Sequence, residues 1–195
     1  GLSLVGSEMC IRDRSIINNE NIIEPFPLLS INDNPKLQKI NAGLYNNYKF
    51  QNNLVKKSKK KFNKRNKIKV GYFGAEFYNH PVLKVTKDVF KNHNKSNFEI
   101  YGFSHGTVKD ELTLEIEKHF NKFFDITRMS ETEVTNLCNK IGIDIAVNLT
   151  GYTSESRNEI FFNRVAPIQI SYLGYSGTMN ANYICLLYTS PSPRD

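Results

Sequence analysis

The residues best suited to chemistry fall in three short groups. The first follows an apolar run, 68–73, that breaks at Gly74 and continues through Glu76, Asn79, His80 and Pro81. An imidazole gains and loses a proton near neutral pH, so a loop histidine with a carboxylate close behind it in sequence suggests proton transfer or orientation of a reacting hydroxyl. The same stretch also describes an ordinary turn carrying a surface histidine. The second group is Asn148, Thr150, Gly151, Tyr152 and Thr153, and the third runs from Leu173 through Gly174, Tyr175, Ser176 and Gly177 to Thr178. Glycines let backbone N–H groups come close to a ligand. Tyrosines and hydroxyls pair an apolar face with hydrogen-bonding tips, which suits a sugar.

The elements that must carry these groups alternate between strand and helix. Apolar runs at 68–73, 98–104, 123–126, 143–149 and 168–173 predict strands. Between them, helical spacing predicts helices after Pro81 (Val82, Val85, Val89 and Phe90 inward), over 110–120 (Leu112, Ile116, Phe120) and up to Ile141 (Val134, Leu137, Cys138, Ile141). Ser130 and Glu133 have the spacing of a capping box, and Ser154 is placed to cap a helix over 155–163. This alternation predicts a Rossmann-like, doubly wound parallel α/β sheet with right-handed crossovers. All three groups then emerge on one sheet edge, where such folds bind ligands. Upstream, residues 15–55 read as a short helical segment. Asn34-Pro35 supplies a cap and a first-turn proline, with Leu37, Ile40, Leu44, Tyr45 and Tyr48 as the apolar face.

Composition removes several classes. Neither the dinucleotide fingerprint G-x-G-x-x-G nor a P-loop is present, which disfavours the usual nicotinamide and ATP enzymes. No stretch approaches the roughly 20 apolar residues of a membrane span. Cys10, Cys138 and Cys185 are scattered, fitting neither a disulfide framework nor a zinc site, and point to a reducing, cytoplasmic setting. The net charge of +7 comes from one run: Lys56, Lys57, Lys59, Lys60, Lys61, Lys64, Arg65, Lys67 and Lys69. With those nine set aside the remainder sums to −2, so 56–67 reads as a solvated basic linker. A basic tether for nucleic acid or an acidic membrane surface is the alternative.

The strings IKVGYFGAEFYNHPV, DIAVNLTGYTSESRNEIFFNRVAPIQISYLGYSGT and EPFPLLSINDNPKLQ closely resemble the catalytic region of protein O-linked N-acetylglucosaminyltransferases, from about Ile23 to Ile184. The resemblance implies the N-terminal half of a two-domain, GT-B type inverting glycosyltransferase. Its donor would be UDP-N-acetylglucosamine and its acceptor a Ser or Thr hydroxyl on a protein, with no metal or other cofactor. His80 matches the family's active-site histidine and Pro81 follows it as in the family. Leu173, Gly174 and Tyr175 match the loop lining the sugar pocket, and Gly151, Tyr152 and Thr153 match its neighbour; Glu76 and Asn79 would support the histidine. Glu76 stands where the family usually has Asp, Tyr172 replaces a usual Trp, and Ser176 replaces a usual Pro, which is expected to loosen that turn.

Residues 1–14 and 185–195 resemble translated sequencing adapter, and 68–184 is the expected catalytic half-domain. On this reading the chain is a fragment. A uridine-binding second half and tetratricopeptide repeats would lie outside it, and the fragment is expected to be inactive alone. A Rossmann-like binding module without chemistry is the competing reading.

Overall fold

The computed structural model describes residues 22–50, 66–184 and 186–188. Two compact units divide the chain, 1–54 with 177–182, and 55–176 with 183–195.

The first unit holds two helices where the sequence predicts one, α1 (Pro25–Ile31) and α2 (Pro35–Phe50). Asn32 ends the first, its N–H donating to the Leu28 carbonyl, and the expected Asn34 cap opens the second by accepting from the N–H groups of Lys36 and Leu37. The predicted apolar face of α2 is wrong at two positions: Ile40 and Tyr48 are exposed, while Leu37, Asn41, Ala42, Asn46 and Phe50 are buried. Asn41 exchanges two hydrogen bonds with the Ile23 backbone, and Asn46 donates to the carbonyls of Ala42 and Met179. Buried amides that satisfy backbone groups cost little, and hydropathy cannot distinguish them from surface asparagines.

The second unit is the predicted doubly wound sheet. Strands β1 (Ile68–Gly74), β2 (Phe98–Ser104), β3 (Lys122–Asp125), β4 (Ile145–Asn148), β5 (Ile168–Tyr172) and β6 (Leu186–Tyr188) pair in parallel in the order β3-β2-β1-β4-β5-β6. Helices α3 (Pro81–Lys91), α4 (Glu111–Glu117), α5 (Glu131–Ile141) and α6 (Asn158–Phe162) connect them.

Because β1 is central, its side chains are buried on both faces, and they sort by the period of two. Val70 and Tyr72 join Ile100, Val147, Leu83, Phe90 and Ile116 in one core. On the other face Phe73 stacks on Phe103 at 4.4 Å and meets Phe161 of α6 edge-on. Leu83, Thr86 and Phe90 are the buried residues of α3, whereas the expected Val85 is 61% exposed: the inward stripe is turned by one position. The Ser130–Glu133 capping box forms as expected, and α5 ends on Gly142 in the left-handed conformation. Ser154 caps nothing. Residues 150–157 fold as successive turns, and the helix starts only at Asn158, which leaves it five residues long.

Candidate active site

The chain runs outward from β1 to β2 and β3, then returns to place β4 on the opposite flank of β1. The carboxyl ends of β1 and β4 therefore flank the topological switch point, where open α/β sheets bind ligands. Each of the three chemically capable groups starts at the end of one of three adjacent strands, β1, β4 and β5.

His80 is half-buried and forms the N-cap of α3, with Pro81 exposed in the first helical turn. Its Nδ1 accepts from the Val82 N–H at 3.3 Å. A backbone amide can only donate, so Nδ1 is the acceptor and the neutral ring carries its proton on Nε2. Asn79 is exposed, and its N–H donates to an Asp110 carboxylate oxygen at 2.7 Å, tying the histidine loop to the start of α4. Glu76 does not line an open cleft. It is buried at 9% exposure, and its carboxylate accepts from the Thr150 hydroxyl at 2.8 Å, which itself accepts from the Ala75 N–H. The carboxylate thus fastens the first loop to the second.

The second loop is built by two amides. Asn148 Oδ1 accepts from the N–H groups of Thr150 and Gly151, and its Nδ2 donates to Asn158 Oδ1; Asn158 Nδ2 then donates to the Gly151 carbonyl. Gly151 has φ +64°, and a Cβ there would lie 2.2 Å from Tyr175 Cβ. Thr153 donates through its hydroxyl to the Thr150 carbonyl. The buried ring of Tyr152 meets that of Tyr175 edge-on at 5.3 Å, and burial pushes the Tyr175 phenol up to about 12. The third loop turns through Leu173, exposed and at φ +66°, into Gly174, where a Cβ would lie 1.7 Å from the Leu149 carbonyl oxygen.

The structure thus links the three loops through Glu76–Thr150, Tyr152–Tyr175 and Gly174–Leu149. Three supporting residues escaped the sequence reading. Asn158 and Asp110 look like ordinary polar residues in the chain. Arg157, the third, clamps the second loop by donating to the carbonyls of Ile126 and Met129 and to Glu131 at 2.7 Å. Only the partners, distant in sequence, reveal them. Among the described residues no cluster of His, Cys, Asp or Glu could hold a metal, and no helix is long and apolar enough to cross a membrane. Most of the basic run, 56–65, lies outside the described residues, as do Cys10 and Cys185.

The sequence profile of glycosyl transferase family 41 matches residues 33–192. The chain belongs to that family. A probable UDP-N-acetylglucosamine–peptide N-acetylglucosaminyltransferase, SEC, of Arabidopsis thaliana is 36% identical over 124 residues, covering 63% of this chain and 13% of that protein. The Caenorhabditis elegans UDP-N-acetylglucosamine–peptide N-acetylglucosaminyltransferase is 29% identical over 128 residues, covering 63% of this chain and 11% of that protein. A Thermobaculum terrenum O-GlcNAc transferase mutant shares the fold with TM-score 0.73 over 79% of this chain and 30% of that one, at 22% identity. The chain therefore spans about an eighth of the length of the curated relatives it matches.

Proposed function

We propose that this chain forms the acceptor-side wall of a protein O-N-acetylglucosaminyltransferase site. The sugar passes from UDP-N-acetylglucosamine to a Ser or Thr hydroxyl with inversion. Family membership over 33–192 supports the donor and acceptor classes, since the relatives' names carry both. In the reaction the acceptor oxygen attacks the anomeric carbon, UDP leaves with the electron pair of the broken sugar–diphosphate bond, and the hydroxyl proton passes to the departing diphosphate or to water. The rim residues contribute position rather than charge. Gly151 and Gly174 let the second and third loops pack against each other rather than opening backbone to the ligand, since their N–H groups already donate to Asn148 Oδ1 and the Tyr172 carbonyl. The exposed Leu173 offers apolar surface to the sugar, while Tyr152 and Tyr175 hold the two loops together.

The observation that carries the reading of His80 is its cap. With Nδ1 occupied by the Val82 N–H, the neutral ring keeps its proton on Nε2, where it serves as a hydrogen-bond donor that orients the reacting oxygen. It does not take the acceptor proton in that state. Positioning of this kind depends on an oxygen held by a pre-set donor, which the helix cap supplies at no further entropic cost.

Charge builds on the departing diphosphate, and its stabilisation is commonly the largest catalytic contribution. The 195 residues alone should therefore show no turnover. The test is radiolabelled sugar transfer to a Ser-containing peptide, by this chain and by an enzyme in which it is joined to a relative's remaining catalytic region. Turnover only in the joined enzyme, reduced about 10²-fold or more by His80→Ala, is the expected result. Turnover by the isolated chain would overturn the division of labour. An unchanged rate in the joined His80→Ala enzyme would remove the histidine from the site.

A further inference from the structure

On the other flank of β1, the loops after β2 and β3 line an open, shallow cleft of about 650 Å³ bounded by Gly106, Thr107, Lys109, Asp125, Thr127 and Arg128. Its size is that of a small-ligand site, with room for a side chain and its flanking backbone. Two cations face one carboxylate. Lys109 Nζ already sits 2.6 Å from Asp125, which holds the Asp125 carboxyl down at about 2, whereas Arg128 is exposed and has no ion-pair partner among the described residues. The cleft therefore carries one unneutralised guanidinium, whose planar fork matches a carboxylate or phosphate. Lys109 can serve the same group only by giving up Asp125. Thr107 stands on the same wall, and the Thr127 hydroxyl, which donates to the Gly106 carbonyl at 3.3 Å, closes the other.

The position matters as much as the charge. Lys109 directly precedes Asp110, whose carboxylate accepts from the Asn79 N–H at 2.7 Å, and Asn79 directly precedes His80. Thr113, in the first turn of α4, also donates to the Phe77 carbonyl. The cleft wall is thus stitched to the histidine loop, on the side away from the loops after β4 and β5 that wall the sugar.

We propose that this cleft binds an acidic side chain of the acceptor polypeptide, a carboxylate or a phosphate, lying close in sequence to the modified hydroxyl. The inference rests on the transferase reading for the word acceptor. Its test needs no turnover, so the two fail separately: binding is read on this chain without donor, and transfer on the joined enzyme with a neutral peptide.

The experiment titrates ¹⁵N-labelled chain with four probes at low salt: matched Ser peptides bearing glutamate, phosphoserine or glutamine beside the target, and inorganic phosphate. The glutamate or phosphoserine peptide should give saturable shifts at the amides of Gly106, Thr107 and Thr127, and the glutamine peptide none. Which of the two acidic peptides binds tighter assigns the carboxylate or the phosphate. Arg128→Ala and Lys109→Ala should each weaken binding about two- to five-fold, the range of an exposed ion pair. Asp125→Asn should strengthen it by a similar factor, because it frees Lys109 while keeping the Oδ1 acceptor for the Thr127 N–H. A merely structural role for Asp125 would not produce tighter binding. Equal binding of the glutamine peptide, equal binding of inorganic phosphate and the acidic peptides, shifts elsewhere, or no gain from Asp125→Asn would each overturn the proposal.

Discussion

The two flanks of β1 handle polar groups in opposite ways. At the ends of β4 and β5 the polar atoms are buried and spent on one another: Asn148 and Asn158 share four hydrogen bonds with each other and the Thr150–Gly151 backbone. At the ends of β2 and β3 the charged groups are exposed, and the Lys109–Asp125 pair is open to water. Fully satisfied buried networks fix one geometry, whereas exposed ion pairs exchange partners at little cost. The first flank is suited to holding one fixed geometry and the second to exchanging partners. Gly106 is the seam between them, since a Cβ there would lie 2.0 Å from the Ala75 carbonyl.

The largest test of this contrast is Gly174→Ala. Its methyl would enter the Leu149 carbonyl oxygen at 1.7 Å, and backbone cannot yield as a side chain does. A loss of at least about 3 kcal/mol in denaturant unfolding is expected. Gly151→Ala combines a 2.2 Å contact with a left-handed φ and should follow closely. A loss below about 1 kcal/mol for both would mean that the loops after β4 and β5 are as pliable as the charged flank.

The next effect is pH-dependent and comes from His105. This histidine is 8% exposed, and neither ring nitrogen has a hydrogen-bond partner among the described residues. Burial, then the Arg157 charge, lower it from 6.5 to about 4; the backbone of Glu155 pulls the other way without meeting hydrogen-bond geometry. Between those values the unfolded chain binds the extra proton, so stability rises with pH through the window and is lost on acidification from near 6.5 toward 4. The loss is on the order of 3 kcal/mol, and His105→Asn should flatten it. A thermal-unfolding profile flat from pH 7 to 4 in the unsubstituted protein would show the ring to be hydrated.

Much of this was legible in the sequence, though unevenly. The strand–helix alternation and the three loops were visible because hydrophobic period and glycine placement are local signals. The cap geometry at Ser130–Glu133 was legible for the same reason. What escaped depends on partners distant in the chain. Asn41 and Asn46 occupy the buried face of α2 in place of Ile40 and Tyr48. Ser154 lost its helix because Asn148, ten residues before Asn158, commits the intervening backbone to turns. Glu76 reads as a supporting acid beside His80 yet is bonded to Thr150, 74 residues on. No pattern within a window of a few residues contains these pairings.

The amide pair offers a sharper intermediate test. Asn148→Ala strips the acceptor from two buried N–H groups, and a cost of about 2 kcal/mol is expected from unfolding midpoints. Asn158→Ala should cost about the same, and the double variant less than the sum, because both remove one network. Strict additivity would mean that the two amides act independently.

The smallest effect is Asp125→Asn, and it separates the flanks by pH as well as by size. The Lys109 ammonium, helped by the Thr127 hydroxyl and N–H, holds the carboxyl at about 2, below its ordinary 3.8. The unfolded chain takes up this proton first on acidification, so the contribution is complete above 3.8 and disappears as pH falls toward 2. That window lies wholly below the one for His105. Acid unfolding should therefore show the buried histidine's loss first and the ion pair's loss later. With both partners about half exposed, the pair is worth less than about 1 kcal/mol near neutral pH, less still in high salt. Asp125→Asn should lower stability above pH 4 by a constant amount of less than about 1 kcal/mol, remove the pair's salt dependence there, and flatten the profile between 3.8 and 2. If instead the substitution costs as much as Asn148→Ala, the charged flank is a structural network like its neighbour, and the contrast between a fixed wall and an adaptable one fails.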